Sequence, residues 1–174
     1  VIVVIFTKGD LSSPWLKKEY LLETREKESE KVGNLLGVSE TIFLRYDDRN
    51  LGIQLRDKKA LGKIKQIISE NKPAKILVHS KYDPHKDHQA VSDLVIEALD
   101  VVDPKKKITT LVYEVWNLRN QVWPRVYIDI TKYLDLKIRA LKKFRSQRGY
   151  VYPLWIPVLI RNKISGIHAG CQYA

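Results

Sequence analysis

Methionine is absent from the 174 residues, and cysteine occurs once, at position 171. A lone Cys171 excludes an intrachain disulfide framework and any zinc site built from cysteines. The chain has no internal repeat and no low-complexity stretch. Its longest apolar runs, such as Val1 to Phe6, fall far short of a membrane span, and its start carries no signal-peptide pattern. A reducing, cytoplasmic setting without membrane insertion is the expectation. Acidic residues are in the minority, 20 Asp and Glu against 31 Lys and Arg, which gives a formal charge of +11. Such a balance suits either a solvated surface or a partner with phosphates. Because no nucleic-acid motif accompanies the charge, a solvated face is the better reading and nucleic acid is not an expected partner. Abundant Lys, Glu and Ile with no Met also resembles the surface usage of heat-adapted, thermophile proteins.

What is present is enough for one domain over residues 1–174, with 44% hydrophobic residues available for a core. Strands and helices alternate. Val1 to Phe6 reads as a buried strand, followed by a helix capped at Ser12-Ser13-Pro14 and ended near Leu36 by Gly37. Thr41 to Arg45 is a second strand. Leu61, Ile64, Ile67 and Ile68 mark a helix closed by Asn71 and Pro73, and Lys75 to His79 is a short apolar strand of the parallel, doubly buried kind. Val91, Leu94, Val95 and Ala98 recur at helical spacing from about Asp87 to Leu99. Asp103-Pro104 marks a turn, Ile108 to Trp116 a strand and Tyr127 to Ile130 a short strand; Thr131 caps a helix to about Phe144. Tyr150 to Ile160, broken by Pro153 and Pro157, is expected to be irregular or an edge strand. This alternation predicts an α/β fold: three layers, Rossmann-like, with a mostly parallel sheet and helices on both faces.

Three of the four histidines fall within ten residues, in His79-Ser-Lys-Tyr-Asp-Pro-His85-Lys-Asp-His88. They occupy a strand-to-helix loop at the carboxyl end of a strand, where open α/β sheets place their ligands. His85 and His88 share one face of the helix's first turn. The positive end of the helix dipole disfavours imidazolium there and keeps a neutral, metal-ligating nitrogen available. Asp87 is placed to hold one ring in the needed tautomer. The alternative is that Asp83 or Asp87 caps the helix and the histidines are solvated. His79 reads as a packed or hydrogen-bonded strand end, and His168 stands alone.

Elsewhere, Arg25 and Glu28 lie on the same helical stripe as Leu21, Val32 and Leu35. Either they form an internal ion pair that ties the helix to neighbouring backbone, or Arg25 turns its guanidinium to a ligand at the strand ends. Asp48 follows a strand, so it is either a plain turn aspartate in Asp-Asp-Arg-Asn or a residue facing substrate on the same rim as the histidines. The four tryptophans read as core or interface anchors.

The string His79-Ser-x-x-Asp-Pro-His-x-Asp-His88-x-Ala-Val resembles the LmbE-like or PIG-L-like family of zinc-dependent N-acetylglucosamine de-N-acetylases. Thr7-Lys-Gly9, Arg25-x-x-Glu28 running into Leu36-Gly-Val38, Phe43 to Asp48, Tyr113-Glu-Val-Trp116, Ile128 to Thr131 and Ser146-Gln147 extend the resemblance along nearly the whole chain. The resemblance implies hydrolysis of an N-acetyl group at one zinc ion per chain. His88 would be a metal ligand, His85 the donor to the oxyanion or leaving amine and Asp87 its partner, with Arg25 and Asp48 at the substrate. It also implies an N-acetylated amino sugar or conjugate as partner, and a homo-oligomer. The family's opening His-Pro-Asp-Asp motif, which supplies two further metal ligands and a base, has no counterpart here. The chain therefore reads as a piece lacking both ends, with an aggregation-prone central edge exposed. Taken literally, one ligand histidine favours a second reading, a metal-free fragment or non-catalytic homologue acting as a binding module.

Overall fold

A computed structural model describes residues 1–9, 17–48, 50–113, 115 and 124–174, with the side chains of 150–152 and 154 left aside. The expected helix start at Ser12-Ser13-Pro14, and Trp15, Glu114, Trp116 and Trp123, lie outside the described residues. The chain divides into two compact units, Val1–Arg45 with Val122–Ala174, and Tyr46–Gln121.

In the first unit β1 (Ile2–Thr7) pairs with β2 (Glu40–Tyr46), joined by helix α1 (Lys18–Leu36). The carbonyl of Val1 accepts from the amide of Ser39 at 2.8 Å, so the two strands start side by side. Gly37 ends α1 at φ 74°, the left-handed conformation that glycine adopts without a Cβ penalty. Leu21 is fully buried, and Val32 and Ala140 are buried with it in this unit. Helix α1 also packs on α5 (Leu134–Leu141).

Three sequence expectations fail in the second half of this unit, each for a local reason. Tyr127 to Ile130 is not a strand; the Ile130 amide donates to the Tyr173 carbonyl at 3.0 Å, so its backbone bond goes to the C-terminal tail and not to a sheet. Thr131 is not the cap. Asp129 Oδ1 accepts the Thr131 amide at 2.9 Å, and the Thr131 hydroxyl accepts from the Tyr173 amide at 3.1 Å. The helix it was to open stops at Leu141, and a short 3-10 turn over Arg145–Gln147 follows.

The segment from Tyr150 to Ile160 is helical. It belongs to α6 (Arg148–Ala169), which keeps Pro153 and Pro157 inside it. Both prolines are exposed and four residues apart, so they lie on one face. The carbonyls deprived of an amide partner lie along that face, where water can satisfy them, which lowers the usual cost of an interior proline.

At the other end of α6, Gly166 is buried under the tail. A Cβ there would come within 2.8 Å of the Cys171 carbonyl oxygen and of Gln172 backbone atoms. Gly166→Ala is therefore expected to push residues 171–174 off the helix and to cost about 1–3 kcal/mol. Hydrogen exchange at Cys171, whose amide donates to the Gly166 carbonyl at 2.9 Å, reads this directly. Unchanged protection in the variant would contradict the steric argument.

The second unit holds α2 (Leu51–Gln54), α3 (Lys58–Asn71), β3 (Lys75–His79), α4 (Lys86–Val102) and β4 (Thr109–Tyr113). Strands β3 and β4 run parallel, with His79 opposite Tyr113 at their carboxyl ends. Helix α4 buries Val91, Leu94, Val95, Ala98 and Leu99, the stripe its spacing predicts, and packs on α2, α3 and β3. Helix α3 contributes Ala60, Ile64 and Ile68 at four-residue steps. Its amino end is capped by Asp57, whose Oδ1 accepts the Lys59 amide at 3.0 Å.

Candidate functional site

The β3 to α4 loop gathers the three histidines into a column. The rings of His79 and His88 stack with centroids 4.1 Å apart, and those of His85 and His88 with centroids 4.7 Å apart. The parallel register places Tyr113 across from His79, and its hydroxyl lies 2.9 Å from His79 Nε2. Burial, with a further push from the Asp83 carboxylate, raises the Tyr113 hydroxyl to about 12. It therefore keeps its proton at neutral pH, and the His79 tautomer sets which of the two groups donates in this bond. Burial first, then the neighbouring His88, lowers His79 to about 4, so this ring is neutral at pH 7. His79 is thus the hydrogen-bonded strand end that the sequence suggested.

His85 caps α4 with its own ring. Its Nδ1 accepts the Asp87 amide at 3.3 Å. A nitrogen that accepts carries no proton, so neutral His85 holds its hydrogen on Nε2, as a donor. In the alternative reading of the sequence, Asp83 or Asp87 takes this cap. The imidazole takes it because His85 is the residue with extended backbone (φ −81°, ψ 119°) just before the first helical residue. Asp87 meets His85 through this backbone amide, and its buried carboxylate lines a groove of about 450 Å³ between α2 and α4, alongside Asn50, Arg56 and Asp93.

A second carboxylate beside the histidines is that of Asp83, which lies against His88. Asp83 is fully buried, and its Oδ1 accepts the His85 amide at 2.9 Å and lies 3.1 Å from His88 Nδ1. The Asp83 carbonyl accepts from Gln89 Nε2 at 2.7 Å, and its amide donates to the Ser80 carbonyl at 3.0 Å, so the residue is fixed from both sides. The signal in the sequence was the placement of Asp83 before proline, which forces an extended backbone and turns the residue back onto the loop.

Arg25 belongs to the first unit, on α1 against Gly9. Gly9 adopts φ +68°, and any Cβ there would collide with the Arg25 guanidinium, so Thr7-Lys-Gly9 leaves the space this arginine fills. Glu28, one turn on, accepts from the Ser146 amide at 2.8 Å and from its hydroxyl at 2.6 Å. The reason for a charge on this stripe is therefore the backbone before α6. Asp48 is half-buried in the turn after β2, in the second unit.

For a metal, His88 has a suitable donor. Its Nδ1 lies 3.1 Å from the Asp83 carboxylate, and imidazole nitrogens are common metal ligands. Among the described residues, however, no group of three or more His, Cys, Asp or Glu converges to hold an ion. They offer one ligand where zinc sites use at least three. No helix among them is long and apolar enough to cross a membrane.

Parallel strands linked through helices, with polar chemistry at their carboxyl ends, define a mixed α/β protein of the Rossmann-like kind. The same fold is found in N,N'-diacetylchitobiose deacetylase from Pyrococcus horikoshii, with a TM-score of 0.80, 22% identity, and coverage of 99% of this chain and 70% of that one. Conserved protein TT1542 from Thermus thermophilus matches with a TM-score of 0.79 at 20% identity, covering 99% of this chain and 77% of that one. A 4-carboxy-2-hydroxymuconate hydratase from Pseudomonas putida KT2440 matches with a TM-score of 0.73 at 21% identity, over 97% and 76% of the two chains. The chain belongs to the PIG-L family, GlcNAc-PI de-N-acetylase, whose model matches residues 1–99. A curated relative, a probable N-acetyl-alpha-D-glucosaminyl L-malate deacetylase 2 from Bacillus anthracis, is 26% identical over 156 residues, which is 83% of this chain and 67% of the relative.

Proposed function

We propose that the chain is a hydrolase that removes the acetyl group from an N-acetylated amino sugar or its conjugate, with one zinc ion per chain. The observation that carries the reading is that the start of α4 brings His85, whose Nδ1 accepts the Asp87 amide, beside His88, whose Nδ1 lies 3.1 Å from the Asp83 carboxylate. Family membership supports the substrate class, whereas the fold, shared with a hydratase, does not choose the reaction.

In this reading His88 Nε2 would hold the zinc, which when bound would supply Lewis acidity towards the amide carbonyl and make water more acidic. His85 Nε2–H is placed either to donate a hydrogen bond to the carbonyl oxygen as it gains negative charge or, once it has taken up the proton that the attacking water loses, to pass that proton to the nitrogen as the C–N bond breaks. Water provides the hydroxyl, so the products are acetate and a free amine. Asp87 stabilises His85 through its amide. Arg25 and Asp48 are proposed to bind the sugar.

A second reading is a non-catalytic binding module. Elemental analysis separates the two. About one zinc per chain in the parent and none in His88→Ala, with amine released from an N-acetylglucosamine conjugate by the parent alone, is the result expected of the deacetylase. No zinc and no amine, with zinc in excess, establishes the binding module.

A further inference from the structure

Asp83 is the one fully buried carboxylate in the histidine loop, and neither of the catalytic assignments above uses it. Its Oδ1 serves two neighbours at once, the His85 amide at 2.9 Å and His88 Nδ1 at 3.1 Å. The second contact is close but out of line for a regular hydrogen bond, and His88 Nδ1 has no other hydrogen-bond partner. The proton on that nitrogen can be placed by exclusion. A lone pair facing a carboxylate oxygen at this distance is repelled, while an N–H facing it is attracted, and a buried ring nitrogen left without either water or partner is costly. His79, stacked on the other side of His88, offers a ring face and not an acceptor atom.

We infer that Asp83 is the positioning residue of the site: it locks His88 as the Nδ1–H tautomer, with Nε2 as the open nitrogen, while its bond to the His85 amide sets the distance between the two rings. The choice of Nε2 as the metal-facing atom rests on the deacetylase reading; the tautomer itself does not. The assignment sets a second carboxylate beside the rings, in addition to Asp87, which lines the α2–α4 groove. It also accounts for a charged side chain with no exposure in a loop, where a plain turn aspartate would be solvated.

The test is the tautomer of His88, read from the nitrogen shifts of its ring in long-range proton–nitrogen spectra of the full chain at a pH where the ring is neutral. The signals are assigned by their loss in His88→Ala. The parent is expected to show Nδ1–H as the dominant form, and Asp83→Ala to shift His88 towards the Nε2–H form that an unconstrained imidazole favours. Should the alanine variant fail to fold, Asp83→Asn keeps the shape. Its single amide oxygen must then serve two donors without a charge, so the Nδ1–H population is expected to fall part of the way. Where the parent binds zinc, the same substitution is expected to weaken binding by about 10–100-fold.

A parent ring protonated at Nε2, or an unchanged tautomer in both variants, overturns the inference. An Nδ1–H parent that shifts on substitution but binds no zinc upholds the role of Asp83 and removes the deacetylase reading.

Discussion

Replacing His85 with alanine is expected to lower kcat for amide hydrolysis by about 10²–10⁴-fold, with a much smaller change in KM. The effect follows from where the ring's hydrogen sits. With Nδ1 engaged by the Asp87 amide, the donor is Nε2–H, and it acts on charge that develops only as the carbonyl is attacked. Loss of such a group is felt in the transition state and hardly at all in the bound substrate.

The alanine variant also removes the cap of α4, at about 1 kcal/mol. A His85→Asn variant separates the two consequences, since asparagine is a good cap and no proton donor of comparable acidity. Both variants are expected to be slow, and only alanine to melt earlier. Steady-state kinetics beside thermal melts reads both. A kcat within a few-fold of the parent in either variant would remove His85 from the chemistry.

Glu28→Ala is expected to have the largest effect on stability, a loss of about 3–4 kcal/mol. The buried carboxylate accepts from both the amide and the hydroxyl of Ser146, 118 residues away in the sequence. Hydrogen bonds to a charged acceptor contribute about 1.5–3 kcal/mol each, and truncation leaves two half-buried donors without their acceptor. For a chain of this size the melting temperature should fall by roughly 6–16 °C.

Glu28→Gln keeps one acceptor oxygen and is expected to lose less than half as much. Urea denaturation measures both. A loss below about 1 kcal/mol for alanine would mean that water replaces the carboxylate at Ser146. The same link explains why the charges on α1 do not betray a misfolded helix. The stripe that carries Leu21 and Val32 into the core needs one position that satisfies the backbone ahead of α6.

Much of this was legible in the order of residues. Lys75 to His79 is a strand with the boundaries its apolar run predicts, Gly37 ends α1 in the left-handed conformation, and α4 buries the stripe its spacing marks. These features are set within a few residues, by turn chemistry and by the period of apolar side chains. The histidine loop was legible for the same reason, since its members are close in sequence and bounded by a strand and a helix.

What failed was decided by contacts the sequence cannot count. Ile130 and Thr131 give their hydrogen bonds to Tyr173 at the far end of the chain, so an apparent strand and an apparent cap became a docking point for the tail. Two prolines that normally break a helix are tolerated in α6 because both lie on its exposed face. Asp83 looked like one of two possible caps. Its role as the buried partner of His88 depends on the path of the loop, which brings Oδ1 to a ring five residues on. The sequence by itself determined most of the elements and the family, because each is written in local spacing. Only the tertiary structure decided which carboxylate lies beside which imidazole, because that is fixed by distances of about 3 Å that no spacing encodes.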